Sequence, residues 1–216
     1  MNTDKLPSVI RNVLAYRRKS RVDFMLSKVA TVNKMKVIDV GCGSDGRSFD
    51  DYVPADWEIT GVDIISAHKV RHQHPRFSYL QQDAQDLSRF KDYEFDLAVS
   101  IGMLEHVTEE PAFRRIVSEI RRVAKQYIVV VPYKYCWIEP HYGVPFFPLF
   151  PYSIKLSLVK TFNLSNQRDV IRQDPEYINK NYKWLSNAEY RVEFPDSTIY
   201  LSPTLETIAI TRKCQL

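Results

Sequence analysis

Three of the chain's six glycines fall between positions 41 and 46, in the run Val37-Ile38-Asp39-Val40-Gly41-Cys42-Gly43-Ser44-Asp45-Gly46. An apolar run that ends in an acid and then a glycine loop reads as a buried strand turning tightly into a helix. Glycine serves there because the backbone must take positive φ or approach a ligand closer than a Cβ permits. Such loops cradle nucleotide-like ligands against a helix N-terminus. Gly41-x-Gly43-x-x-Gly46 is literally the dinucleotide fingerprint, and Asp63 follows about 20 residues on. An NAD-dependent oxidoreductase is therefore open. Asp39 argues for another ligand, because a carboxylate beside a pyrophosphate repels it and beside an ammonium or sulfonium attracts it. Asp83-Ala84 stand after a further apolar run, where a carboxylate can accept from an exocyclic adenine amine. Taken singly, Asp63 also reads as a helix N-cap and Asp83 as a turn residue. His106, Glu139 and His141 supply the imidazoles and carboxylate that a general base requires.

The elements that must position these residues alternate. Apolar runs at 36–40, 58–62, 77–80, 95–99 and 127–131 predict strands. Between the last two, Thr108 reads as an N-cap, Glu109 and Glu110 suit the helix dipole, and Pro111 is tolerated in the first turn. Phe113, Ile116, Val117, Ile120 and Val123 then form an apolar stripe. Repeated β-α-β units of this length predict a parallel, doubly wound sheet with helices on both faces. Residues 6–30 show helical spacing, with Arg11, Arg17, Arg18, Lys19 and Arg21 on the polar face. They predict an amphipathic cover, with contact to an anionic surface as a second reading. Five of the twelve prolines lie between 132 and 151 among many aromatic residues, which excludes a regular helix or central strand there. Helices are expected at 153–162 and 175–190, and two strand runs, 197–201 and 206–210, suggest a hairpin at the sheet edge.

Composition sets the class. At 216 residues, 44% apolar and 26% charged, the chain is expected to form one domain. Its parts are a helical cover (1–34), a cofactor-binding half (35–131), a lid with helices (132–190) and closing strands (191–216). A net charge of +4 is too mild to argue for nucleic acid. No apolar run reaches the length of a bilayer span, and the N-terminus lacks a signal-like core. Three widely spaced cysteines make neither a disulfide framework nor a metal pattern. A cytoplasmic location is the expectation.

From Val37 to Val131 the chain resembles the class I S-adenosylmethionine-dependent methyltransferases, in particular their small-molecule branch with a type 11 methyltransferase domain. Val-Ile-Asp-Val-Gly-Cys-Gly is similar to the family's first motif, Gly-Val-Asp-Ile to its second and Asp-Ala-Gln-Asp-Leu to its third. Phe-Asp-Leu-Ala-Val-Ser-x-x-x-Leu-Glu-His-Val is similar to its fourth. The family's third glycine would fall at position 45, where this chain has Asp45 followed by Gly46. The resemblance implies an α/β fold: a Rossmann-like, doubly wound, seven-stranded, mostly parallel sheet with a C-terminal antiparallel hairpin.

It also implies S-adenosyl-L-methionine as cofactor. Gly41, Cys42 and Gly43 would approach its amino-acid end, with Asp39 near the ammonium. Asp63 would accept from the ribose hydroxyls, Ile64 would pack on adenine, Asp83 and Ala84 would take the adenine amine, and Ser100 and Ile101 would line the methionine side. The motifs of nucleic-acid amino, cytosine C5, catechol and ribose methyltransferases are missing. A metal-free enzyme acting on a metabolite, glycan precursor or lipid-like acceptor is therefore the expectation, with a non-catalytic cofactor-binding protein as a third class. His106 and His141 are the candidate bases. The aromatic segment 133–152 reads as a substrate lid, and its Phe146-Phe147-Pro148-Leu149-Phe150 patch as a candidate for peripheral membrane or subunit contact.

Overall fold

A computed structural model describes residues 8–44, 49–72, 74–135, 142, 144–162, 171, 173–174, 176–202 and 206–212. His141, Glu139 and Gly46 lie outside these. Seven strands form one sheet: β1 (Lys36–Val40), β2 (Glu58–Asp63), β3 (Phe77–Gln81), β4 (Leu97–Ile101), β5 (Tyr127–Pro132), β6 (Ser197–Leu201) and β7 (Glu206–Thr211). Their order is β3-β2-β1-β4-β5-β7-β6. The first five are parallel, and β7 runs antiparallel to both β5 and β6. The order reverses between β1 and β4, and ligands of open α/β sheets bind outside the carboxyl ends of the strands at such a point.

Strand alternation explains the two-faced core. Ile38, Val40, Ala98, Val129 and Val131 point to one face, where α2 (Glu110–Val123) lays down Phe113, Ile116, Val117, Ile120 and Val123. Full burial of each such side chain is worth about 1.5–3 kcal/mol. Val37, Leu97, Val99, Ile128 and Val130 point to the other, covered by Val22 and Met25 of α1 (Ser8–Leu26) and by Phe49 and Trp57. A third cluster, separate from the sheet, gathers Tyr142, Phe147, Val159, Ile171, Ile178 and Tyr182 around α3 (Tyr152–Phe162).

Three local expectations change. The fourth strand begins two residues later than expected, because Val37 pairs with Leu97 and the Asp96 carboxylate accepts from Lys36 N–H. α2 is capped by Glu109 in extended conformation, without a side-chain cap, so Thr108 lies one residue outside. The helix expected at 175–190 is two short ones, α4 (Tyr177–Lys180) and α5 (Asn187–Glu193). Between them, a non-helical stretch brings Tyr182 and Trp184 to the third cluster, and Ser186 and Glu189 form a capping box that starts α5 anew.

Candidate active site at the topological switch point

At the carboxyl ends of β1 to β4 lies a cavity of about 390 Å³, within the range of small-molecule sites. Of the residues singled out from sequence, Gly41, Asp63, Ile64, Asp83, Ala84 and His106 line it together. Cys42 and Gly43 belong to the adjoining loop, while Asp39, Ser100 and Ile101 lie behind the lining. Ser100 is buried with its Oγ unpartnered, and Ile101 packs toward the α1 face.

The glycine loop is shaped by its two left-handed glycines. Gly41 has φ +77°, and a Cβ there would lie 2.4 Å from Met103 Cγ. Gly43 has φ +69°, and a Cβ there would meet nothing within 4 Å among the described residues. Met103 thus closes one side of the loop, while the other side stands open. Asp63 ties the loop down: its Oδ2 accepts from Gly43 N–H at 2.9 Å and its Oδ1 from Ile65 N–H at 3.1 Å. A carboxylate has about four acceptor positions, so capacity for two further donors remains. Tyr79 holds the same strand end, its one hydroxyl proton shared between the carbonyls of Asp63, at 2.9 Å, and Ile65. Ile64 is 72% exposed, a large apolar side chain left at the cavity mouth. Asp83 forms a turn by accepting from Gln85 N–H at 2.8 Å.

Behind the loop sits a buried polar group. Asp39 is 4% exposed. Burial first, then the charge and hydrogen bonding of Asp50 and the charge of Asp63, raise its carboxyl well above the usual range. Asp50 in turn meets His72 Nδ1 at 2.5 Å, with both side chains sealed from solvent and angles short of a regular hydrogen bond. The His72 ring stacks on Phe77 at 3.7 Å, and Arg71 N–H reaches back to Ser44 O. Asp39, expected from the sequence near a ligand ammonium, is thus buried beside Asp50 and close to Asp63. Burial and the carboxylates of Asp39, Asp63 and Asp50 also push the Cys42 thiol far up, which leaves it inert as a nucleophile.

His106 lies exposed at the cavity rim. Its Nδ1 is 3.2 Å from the Asn181 carbonyl. Since a carbonyl only accepts, Nδ1 carries the proton and Nε2 is the basic nitrogen of the neutral ring. Sequence reasoning missed Met103, which sits in the fourth motif without any polar signal, and the Asp50–His72 pair, whose members share no spacing pattern. Gln82, Gln85 and Ala112 also line the cavity unannounced. Among the described residues, no group of three His, Cys, Asp or Glu is arranged to hold a metal ion.

A family model described as a methyltransferase domain matches residues 38–129. No curated protein matches the chain in sequence. Among solved structures, an S-adenosylmethionine-dependent methyltransferase from Aquifex aeolicus is 14% identical, over 95% of this chain and 97% of that one, with a TM-score of 0.56. Magnesium protoporphyrin IX methyltransferase from Synechocystis PCC 6803, with bound S-adenosylhomocysteine, is 15% identical over 97% and 89%, with a TM-score of 0.57. The 1,6-didemethyltoxoflavin-N1-methyltransferase of Burkholderia thailandensis is 14% identical over 95% and 82%, with a TM-score of 0.52. At such identities these structures testify to the fold.

Proposed function

Because residues 38–129 match a family model described as a methyltransferase domain, we propose that this chain is an S-adenosylmethionine-dependent methyltransferase that methylates a small-molecule or lipid-like acceptor, a metabolite or glycan precursor, without a metal ion. The observation that carries this reading is a switch-point cavity lined by Gly41 and by Asp63, with acceptor capacity to spare, next to Gly43, whose Cβ position is clear of the described residues. Those features fit an adenosyl amino acid: a diol for the carboxylate, and a backbone without Cβ against the amino-acid end. When bound, S-adenosylmethionine supplies an activated methyl group on a sulfonium, itself an excellent leaving group.

The chain's residues then have to bind and orient. Gly41, Cys42 and Gly43 admit the amino-acid portion, Asp63 accepts from the ribose hydroxyls, and Ile64 covers the adenine face. Asp83 and Ala84 receive the adenine amine, with Ser100 and Ile101 on the methionine side. His106, oriented by the Asn181 carbonyl, takes the acceptor's proton through Nε2. His141, the second candidate base, lies outside the described residues. No helix among the described residues is long and apolar enough to cross a membrane. A cytoplasmic place of work belongs to the same reading.

Calorimetry with S-adenosylhomocysteine and with NADH tests it. Saturable S-adenosylhomocysteine binding is expected, weakened about tenfold or more in D63A, which loses charge-assisted hydrogen bonds. Tight NADH binding without S-adenosylhomocysteine binding would refute the proposal. Transfer of a radiolabelled methyl group into a metabolite extract then identifies the acceptor.

A further inference from the structure

Beside the third cluster, two N–H donors, those of Lys155 and Trp184, have no acceptor among the described residues, and a third, that of Lys134, lies nearby. Lys155, in the first turn of α3, is only 7% exposed. Its Nζ lies 4.8 Å from the centre of a Trp184 ring and 6.0 Å from that of Phe147. Among the described residues it has these ring faces and no carboxylate or carbonyl. The Trp184 Nε1–H is sealed from solvent and has no acceptor either. Lys134, just past β5, brings a second positive charge, and its own carboxylate partner, Glu189, is 3.7 Å away. Burial, and after it the charge of Lys134, pull the Lys155 ammonium below the ordinary lysine range.

Each of these facts is unfavourable to the chain standing alone. Ring faces return only part of the hydration that a buried ammonium loses. A cation in the first turn of a helix also opposes the helix dipole, which attracts anions to that end. A buried indole N–H without a partner carries a further desolvation penalty. One oxyanion would relieve all of them.

The cluster stands close to the cavity. His106, on the rim, contacts the Tyr182 ring at 5.0 Å, and Tyr182 stacks on Trp184 at 5.6 Å. Lys134 follows β5 on the side of the sheet where ligands enter. We infer that Lys155, Trp184 and Lys134 form an anion-recognising subsite for the methyl acceptor, which therefore carries a carboxylate or a phosphate group. The word acceptor rests on the methyl-transfer reading; the anion subsite does not.

The full chain labelled with 15N-tryptophan gives indole signals from Trp57, Trp137 and Trp184, and W184F assigns the last. Inorganic phosphate and sodium acetate are titrated separately at constant ionic strength, against sodium chloride. A saturable movement of the Trp184 signal by phosphate or by acetate is expected, and the more effective anion names the group. K155M is expected to lose about tenfold or more in affinity and K155R to retain it. K155M keeps the packing of the stem while removing an unpaired charge, so it is expected to fold. The more exposed K134M is the second variant, with a smaller loss.

A response to both anions no larger than that to chloride, or a K155M response equal to that of the parent chain, overturns the inference. The same samples are titrated with S-adenosylhomocysteine. If that binds while the anion response is absent, the subsite alone falls. If the anion binds and S-adenosylhomocysteine does not, the methyl-transfer reading falls and the subsite stands.

Discussion

Gly41 and Gly43 are both left-handed, yet alanine is expected to act differently at the two. Holding alanine in that conformation costs about 1–2 kcal/mol at either position. At Gly43 nothing among the described residues lies within 4 Å of the new methyl group, so that conformational cost is the stability effect expected. At Gly41 the methyl would lie 2.4 Å from Met103 Cγ and 2.6 Å from Met103 Cβ. These are atoms near the Met103 backbone, which cannot swing aside as a side-chain tip would. Overpacking of this kind adds about 1–3 kcal/mol. Urea unfolding should therefore rank G41A below G43A by that margin. Binding should separate from stability, because the methyl group of G43A projects into the open side of the loop. We expect G43A to lose about tenfold or more in S-adenosylhomocysteine affinity, roughly 1.4 kcal/mol, by calorimetry. Two results would refute the reasoning. Equal stability losses would mean that Met103 does not close the loop, and parent-like binding by G43A would mean that the open face is not the ligand's side.

Two further predictions concern the group behind the loop. An acid whose carboxyl is raised in the folded state stabilises fully below its unfolded value, and that contribution is lost as pH rises through the folded value. From about pH 4 upward, the unfolded carboxylate range, the parent chain should therefore lose stability relative to D39N, which has no proton to give up at that position. Parallel urea midpoints for the two chains between acidic and neutral pH would count against this. For the buried pair, H72Q leaves Asp50 without its partner and should cost about 3–5 kcal/mol, much of it recovered in the H72Q/D50N double variant. A double-mutant cycle with no coupling would show that the contact carries no ionic stabilisation.

The features that the sequence determined alone are those written in local patterns. Strand alternation and the helical stripe of α2 follow from side-chain periodicity along a few successive residues, and five parallel strands and the closing hairpin were legible that way. The glycine loop and the acids at strand ends carry their own chemistry in their spacing, which is why Gly41, Asp63 and Asp83-Ala84 could be named in advance, while Ile64 followed only from the resemblance to the methyltransferase family. Ser186-x-x-Glu189 was a readable helix start as well, yet the run from 175 to 190 looked continuous because Tyr182 and Trp184 fit a helical face as well as a core.

Only the tertiary structure decided the rest. Asp50 and His72 stand 22 residues apart with no shared period, and a buried contact between them leaves no mark on either local pattern. Met103 on Gly41, and Lys155 over Trp184, are likewise meetings of distant segments brought about by packing. Asp39 shows the division within one residue. Its place at the strand end was plain from sequence, but its burial beside Asp50 was not. Solvent exclusion is a property of the whole fold, and it decides which state a carboxyl keeps.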